Sequence, residues 1–149
     1  MRILIVSTGD TCRGPMAEAL LLDKARGAGL ETLRVSAAGL CAHPDSPMSG
    51  GAMRELGNRG IPFYRTRAVR VTRQMAEGAL VLCMTGWQAE KMKKLLPDAQ
   101  IDTINHYAGL TGDIADPYGG GEPAYRRAAD LLDVATRQIV QMQMRRQML

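Results

Sequence analysis

The fold is decided by one stretch near the start of the chain, which reads Ser7-Thr8-Gly9-Asp10-Thr11-Cys12-Arg13-Gly14-Pro15. An apolar run over residues 3–6 precedes it and predicts a strand, and a helix-like run begins at residue 15. A tight turn between a strand and a helix directs several backbone N–H groups at one point, where the helix N-terminus also favours negative charge. The stretch therefore predicts a phosphate-binding site.

The side chains of this stretch support the same interpretation. Gly9 and Gly14 let the backbone come close to a ligand, and Pro15 suits the first helical position, where no N–H is needed. Arg13 carries a planar, permanently charged guanidinium that binds phosphate oxygens with two hydrogen bonds. We call residues 7–14 the phosphate loop.

The composition is that of an ordinary globular protein. The chain has 149 residues, 46% of them hydrophobic and 23% charged, which predicts a single domain over residues 1–149. No apolar stretch reaches membrane-spanning length and the first residues form a strand rather than a signal peptide, so we expect a cytoplasmic protein without a membrane partner. The three cysteines lack metal-ligand spacing, and we expect neither a metal nor a cofactor. The chain lacks the stacking aromatic residues typical of nucleic-acid binding. Its net charge of +4 fits an acidic or phosphorylated ligand and equally fits a protein with no particular charged partner.

Strands and helices alternate along the chain. Strands are predicted at about residues 2–6, 33–37, 79–84 and 101–104, and helices at about residues 15–28, 49–58, 72–77, 86–96 and from residue 122 onward. Short connections between such elements predict an α/β fold, with a doubly wound, four-stranded parallel sheet and helices on both faces. The ligand of such a sheet lies beyond the carboxyl ends of the strands, where the phosphate loop begins.

The phosphate loop resembles the Cys-x5-Arg loop of the low-molecular-weight protein tyrosine phosphatases, which reads close to Cys-Thr-Gly-Asn-Thr-Cys-Arg-Ser-Pro-Met-Ala-Glu. The matching residues are Thr8, Gly9, Thr11, Cys12, Arg13, Pro15, Met16, Ala17 and Glu18. Three positions depart from the pattern, namely Ser7, Asp10 and Gly14. Residues 36–39, 83–85 and 116–120 resemble further motifs of this family, so the resemblance covers nearly the whole chain.

The resemblance implies a phosphoprotein phosphatase with the same α/β fold. In that reaction a thiolate attacks phosphorus, an acid protonates the leaving group, and water then releases the phosphoenzyme. The resemblance places Ser7 at the nucleophile position and implies that Arg13 and Asp116, the general acid, are catalytic. It also implies that the substrate phosphate is bound by Thr8, Gly9, Asp10, Thr11, Cys12 and Gly14, with Tyr118 as a wall of the pocket.

Ser7 alters the expected chemistry, because this position holds the family's cysteine nucleophile. A serine hydroxyl ionises far above a thiol and needs an adjacent general base. The two histidines, His43 and His106, match no catalytic position of the family. We therefore expect phosphate binding without turnover, and the alternative function is a non-catalytic phosphate- or phosphoprotein-binding homologue.

The origin of Ser7 is open between an engineered replacement that traps a phosphorylated ligand and a natural loss of catalysis. Asp10 brings a negative charge close to the phosphate. Gly14 lacks a hydroxyl that helps to stabilise the thiolate in the family. Natural divergence at these two positions is compatible with either explanation of Ser7.

Thr11 and the loop at Asp116-Pro117-Tyr118-Gly119-Gly120 bear on the substrate. The protein arginine phosphatase branch of the family has Thr at this position and an Asp-Pro-Phe-Gly-Gly loop, whereas tyrosine phosphatases more often have a bulkier aliphatic residue. The resemblance thus implies a phosphoarginine protein or peptide as substrate and phosphate ion as a ligand, with phosphotyrosine as the alternative. An arsenate reductase-like protein is a more distant alternative, since it needs further cysteines and none follows Cys83.

Overall fold

The centre of the fold is a four-stranded parallel sheet in the order β2-β1-β3-β4. The structure is a computed structural model that describes residues 1–65 and 67–149. Its strands are β1 (Arg2–Ser7), β2 (Arg34–Gly39), β3 (Leu80–Cys83) and β4 (Gln100–Thr103). The prediction of a four-stranded parallel sheet is confirmed.

The helices cover both faces of this sheet. They are α1 (Arg13–Gly27), α2 (Gly50–Asn58), α3 (Arg73–Ala76), α4 (Gly86–Leu95), α5 (Ile104–Tyr107) and α6 (Gly121–Gln147). Side chains alternate along β1, so Ile3 and Ile5 pack in the core beneath α1 and α6, while Leu4 and Val6 pack in the core beneath α3 and α4. The doubly wound arrangement is confirmed.

Several boundaries differ from the predictions. Helix α1 begins at Arg13, so Pro15 occupies its third position rather than its first; proline is tolerated there because the first-turn N–H groups have no partner within the helix. Strand β2 runs to Gly39 rather than to residue 37. Ile104, predicted to end a strand, begins α5 instead, because Thr103 caps a new helix by accepting a hydrogen bond from the His106 backbone at 3.1 Å.

The junction of β1 and β2 positions the phosphate loop. Ser7 pairs with Gly39 in the parallel register, and the Leu40 backbone N–H donates to the Ser7 carbonyl at 2.9 Å. The chains approach so closely here that a Cβ on Gly39 would lie 2.6 Å from the Thr8 carbonyl oxygen. Gly39 is therefore required by close backbone approach. No helix within residues 1–65 and 67–149 combines the length and the apolar character needed to cross a membrane.

Candidate active site

The predicted site residues come together in one cavity of about 190 Å³ at the carboxyl end of β1. The cavity is lined by Ser7, Thr8, Gly9, Asp10, Thr11, Cys12, Arg13, Asp116 and Tyr118. Gly14 lies just outside this lining, in the first turn of α1. A larger cavity, of about 550 Å³, lies at the opposite end of the strands, beside Arg2 and Gln100, and contains none of these residues.

The backbone of the phosphate loop turns directly into α1. Asp10 has a φ of 58°, the left-handed conformation that Asp and Asn tolerate better than most residues. Cys12 occupies the N-cap position of α1, and its side chain makes no cap hydrogen bond to the described residues. The first N–H groups of the helix are thus available to an anion.

Arg13 is held rigidly at the point where the phosphate loop enters α1. Its side chain is only 6% exposed, and its Nη1 donates a 2.8 Å hydrogen bond to the Ile114 carbonyl. Its Nη2 lies 3.8 Å from Oδ2 of Asp116. Burial lowers the pKa of Arg13 from its ordinary value and the nearby Asp116 opposes this shift, but an arginine stays charged in proteins. A fixed positive charge therefore faces the cavity.

Asp116 lies at the mouth of the cavity. Its side chain is 52% exposed, and its Oδ1 accepts a hydrogen bond from the Tyr118 backbone at 3.1 Å, which holds the turn. Its other carboxylate oxygen faces Arg13. The Tyr118 ring is exposed beside it. This arrangement leaves one carboxyl group at the mouth of the cavity, accessible to water.

Gln88 supports the loop from α4 and was not identified from the sequence. Its Nε2 donates to Oγ1 of Thr8 at 2.9 Å, while its Oε1 accepts from the backbone N–H groups of Met84 and Thr85. Gln88 also forms a capping box with Thr85, the motif that could have drawn attention to it. The buried amide therefore links the end of β3 to the phosphate loop.

Cys12 points its thiol towards α2 and α6. Its Sγ donates to Oγ of Ser49 at 3.3 Å and lies 3.4 Å from the Tyr125 hydroxyl. Burial, together with the hydrogen bond to Cys12, raises the pKa of Tyr125. Gly51 makes room for this cluster, since a Cβ there would lie 2.4 Å from the Tyr125 ring. Ser7, rather than Cys12, is the side chain at the end of the central strand.

Asp10 is buried in a charged cluster that sequence reasoning missed. Its Oδ2 accepts a 2.8 Å hydrogen bond from the Val69 backbone and pairs with the guanidinium of Arg65. Arg65 also lies 3.5 Å from Oε1 of Glu18 and donates to the Ala37 carbonyl at 2.8 Å. Burial raises the pKa of Asp10 to about 6 and that of Glu18 to about 7, although Arg65 opposes both shifts.

The second carboxylate oxygen of Asp10 borders the same small space as the Ser7 hydroxyl. Among the described residues, neither Oδ1 of Asp10 nor Oγ of Ser7 has a hydrogen-bond partner, and both are buried. Both border the space that Gly14 leaves open, because a Cβ at Gly14 would lie 2.9 Å from Oγ of Ser7 and 3.0 Å from Oδ1 of Asp10. The three positions that depart from the phosphatase pattern are therefore in direct proximity.

The raised pKa of Asp10 predicts a pH-dependent stability difference. The folded protein binds the Asp10 proton more tightly than the unfolded chain does, so this carboxyl favours folding most at low pH and loses that contribution as pH rises from about 4 to about 6. Asp10→Asn should gain about 1 kcal/mol in free energy of unfolding, relative to the parent, between pH 5 and pH 7. Urea titrations of both proteins at pH 5 and at pH 7 measure this change in the difference between their free energies of unfolding. A difference that does not change with pH would show that Asp10 ionises normally.

The phosphate loop lies at the carboxyl end of a parallel sheet, and its Arg13 lines the same cavity as Asp116. This arrangement defines the class of site that is suited to phosphoryl transfer. Residues 2–148 match the family model described as low molecular weight phosphotyrosine protein phosphatase. The chain therefore belongs to this family of protein phosphatases, which are hydrolases.

Some of the similar proteins are named arginine phosphatases, and others are named low-molecular-weight protein tyrosine phosphatases. The chain is 37% identical to a protein-arginine-phosphatase of Geobacillus stearothermophilus over 89% of this chain and 88% of the relative. The solved YwlE arginine phosphatase from that organism superposes with a TM-score of 0.91 at 34% identity, covering 99% of this chain and 95% of the other. A solved cysteine-to-serine mutant of a YwlE arginine phosphatase, with a phosphorylated active-site serine, superposes with a TM-score of 0.90 at 33% identity over 95% of each chain.

Proposed function

We propose that the protein is a phosphatase whose substrate is phosphoarginine in proteins or peptides. The phosphate loop binds the phosphoryl group of this substrate. The observation that carries the proposal is that Arg13, Asp116 and the loop from Ser7 to Cys12 line one cavity at the carboxyl end of β1. The similarity to proteins named arginine phosphatases supports the choice of substrate.

Each residue has a role in this proposal. The loop N–H groups and the Arg13 guanidinium bind the phosphoryl oxygens and stabilise the charge that spreads over them in the transition state. Ser7, at the end of β1, faces phosphorus as the acceptor. Asp116 donates a proton to the departing guanidinium nitrogen and later takes one from the attacking water. Tyr118 forms a wall at the mouth.

Ser7 decides whether binding leads to turnover. The phosphorylated serine of the YwlE cysteine-to-serine mutant supports the proposal that a serine here can accept a phosphoryl group. Release is harder, because a serine oxygen is a poor leaving group unless it receives a proton. Unless a neighbouring group moves that proton, the site binds phosphate without turnover, which is the non-catalytic alternative that Ser7 favours.

Substrate choice is tested at Thr11, which lines the cavity with a hydroxyl. In a Ser7→Cys background, where an ordinary thiolate mechanism operates, Thr11→Ile should lower hydrolysis of phosphoarginine and raise that of phosphotyrosine. A polar contact left unmade discriminates strongly between substrates, so the ratio of the two kcat/KM values on matched peptides should change by about tenfold or more.

The control is Thr11→Val, which keeps the branched shape without the hydroxyl and without added bulk. It should lower phosphoarginine hydrolysis without raising phosphotyrosine hydrolysis. Equal changes for both substrates in Thr11→Ile would favour the tyrosine phosphatase alternative and leave Thr11 as a packing residue. A phosphorylated protein or peptide remains the proposed partner, and the cytoplasmic location remains a prediction.

A further inference from the structure

We propose that Asp10 is the proton-transfer partner of Ser7, so that Ser7, Asp10 and Gly14 form a serine-based phosphoryl-transfer site in place of a cysteine-based one. This inference rests on the proposed function and concerns the same cavity. It supplies the base that the sequence analysis did not find for Ser7.

The geometry of the two oxygens carries the inference. Oγ of Ser7 and Oδ1 of Asp10 both lie within 3.0 Å of the point where a Gly14 Cβ would be. Both atoms are buried, and within residues 1–65 and 67–149 neither has a hydrogen-bond partner, not even the other of the two. An unpaired carboxylate oxygen inside a protein costs free energy. Pairing with the Ser7 hydroxyl, directly or through one water, would remove that cost.

The rest of the cluster keeps Asp10 in this orientation. Its Oδ2 is held by the Val69 N–H and by Arg65, so Oδ1 is the atom left for Ser7. The charged groups around Asp10 are Arg65 and Glu18 on the far side and Arg13 in the cavity. Burial raises the pKa of Asp10 to about 6, which suits a group that must both accept and return a proton near neutral pH.

The two steps balance in atoms and protons. In the first, Oγ of Ser7 forms a bond to phosphorus, its proton passes to Oδ1 of Asp10, the bond from phosphorus to the substrate nitrogen breaks, and Asp116 gives that nitrogen a proton. In the second, water attacks the phosphoserine and gives a proton to Asp116, the bond from phosphorus to Oγ breaks, and Asp10 returns its proton to Oγ. Phosphate leaves, and both carboxyl groups return to their starting states.

Asp10 and Gly14 are the other two departures from the family pattern, and both fit the same chemistry. The asparagine of the family pattern at position 10 has no ionisable proton to exchange, whereas Asp10 has the same shape and can exchange one. A serine at position 14 would place its Cβ close to both oxygens, at 2.9 Å from Oγ and 3.0 Å from Oδ1. A thiolate needs no general base, so none of these changes would benefit a cysteine at position 7.

The test compares Asp10→Asn in two backgrounds, with a phosphoarginine peptide as substrate. In the parent Ser7 protein we expect steady turnover to fall by about 100-fold or more, because both the formation and the breakdown of the phosphoserine lose their proton carrier. In the Ser7→Cys background we expect Asp10→Asn to raise turnover, because a neighbouring carboxylate raises the pKa of a thiol and repels phosphate. Asp10→Asn should therefore lower turnover in the Ser7 protein and raise it in the Ser7→Cys protein.

Two further variants separate chemistry from folding. Asp45→Asn is the matched control, since Asp45 is exposed, lies outside the cavity and has a similar φ of 67°. It should leave turnover unchanged. Gly14→Ala keeps Asp10 and favours the helix, yet it should lower turnover of the Ser7 protein, because its Cβ would crowd both oxygens at 3.0 Å or less.

The outcomes distinguish this inference from the proposed function. If Asp10→Asn lowers turnover by the same factor in both backgrounds, Asp10 only shapes the loop and the inference is wrong. If the parent protein binds phosphate but never turns over, the inference is also wrong, while the phosphate site remains. If inorganic phosphate does not bind to the parent at all, the proposed function itself fails.

Discussion

Arg13→Ala is expected to weaken the binding of inorganic phosphate or vanadate by about 100-fold or more, the cost of removing one partner of a desolvated ion pair. Arg13 is buried, fixed by the Ile114 carbonyl, and lines the cavity. Its loss leaves the backbone N–H groups without a full charge to assist them. Isothermal titration calorimetry of the parent and the variant measures the effect.

The matched control is Arg126→Ala. Arg126 is exposed on α6 and pairs with Glu122 at 3.0 Å, outside the cavity. It should leave the phosphate dissociation constant unchanged, which separates a local contact from the net charge of the protein. Equal weakening in both variants would mean that phosphate binds by overall charge and not in the phosphate loop.

Asp116→Asn should lower hydrolysis by about 100-fold or more when the leaving group needs a proton. The test uses the Ser7→Cys background, so that the nucleophile does not limit the reaction. Phosphoarginine and phosphotyrosine peptides should show the full loss. A nitrophenyl phosphate, whose leaving group departs as a stable anion, should show a much smaller one.

Asp113 provides the control for this variant. It lies close to Asp116 in sequence, but its Oδ1 accepts a hydrogen bond from the Gly86 backbone at 2.9 Å, and it does not line the cavity. Asp113→Asn should affect all three substrates equally and weakly. A loss in Asp116→Asn that is independent of the leaving group would remove Asp116 as the general acid.

Much of the fold could be predicted because its signals are local. The fully apolar run that became β3 is typical of a buried parallel strand, and the helices predicted at about residues 72–77 and 86–96 are present as α3 and α4. Helix α5 was missed, because its four residues follow β4 directly and leave no loop composition to mark the boundary.

The site was predicted where residues are close in the chain and missed where they are not. The loop from Ser7 to Arg13 is one continuous motif, so its residues lie together for reasons visible in sequence. Arg65 is 55 positions from Asp10, and its contact depends on the packing of a loop after α2. No periodicity or motif links such residues. The role proposed for Asp10 could therefore be inferred only from the structure, which gives the burial of its carboxyl group, the positions of its oxygens and the space at Gly14.

The central claim is that a substrate phosphoryl group passes to Ser7 in the phosphate loop. The most direct measurement mixes the parent protein with a phosphoarginine peptide, quenches the reaction at short times, and maps phosphorylated residues by tandem mass spectrometry under conditions that preserve phosphoserine. The account predicts a phosphoryl group on Ser7, appearing early and absent from the Ser7→Ala variant. A phosphoryl group on another residue, or none on Ser7 at any time, would contradict it.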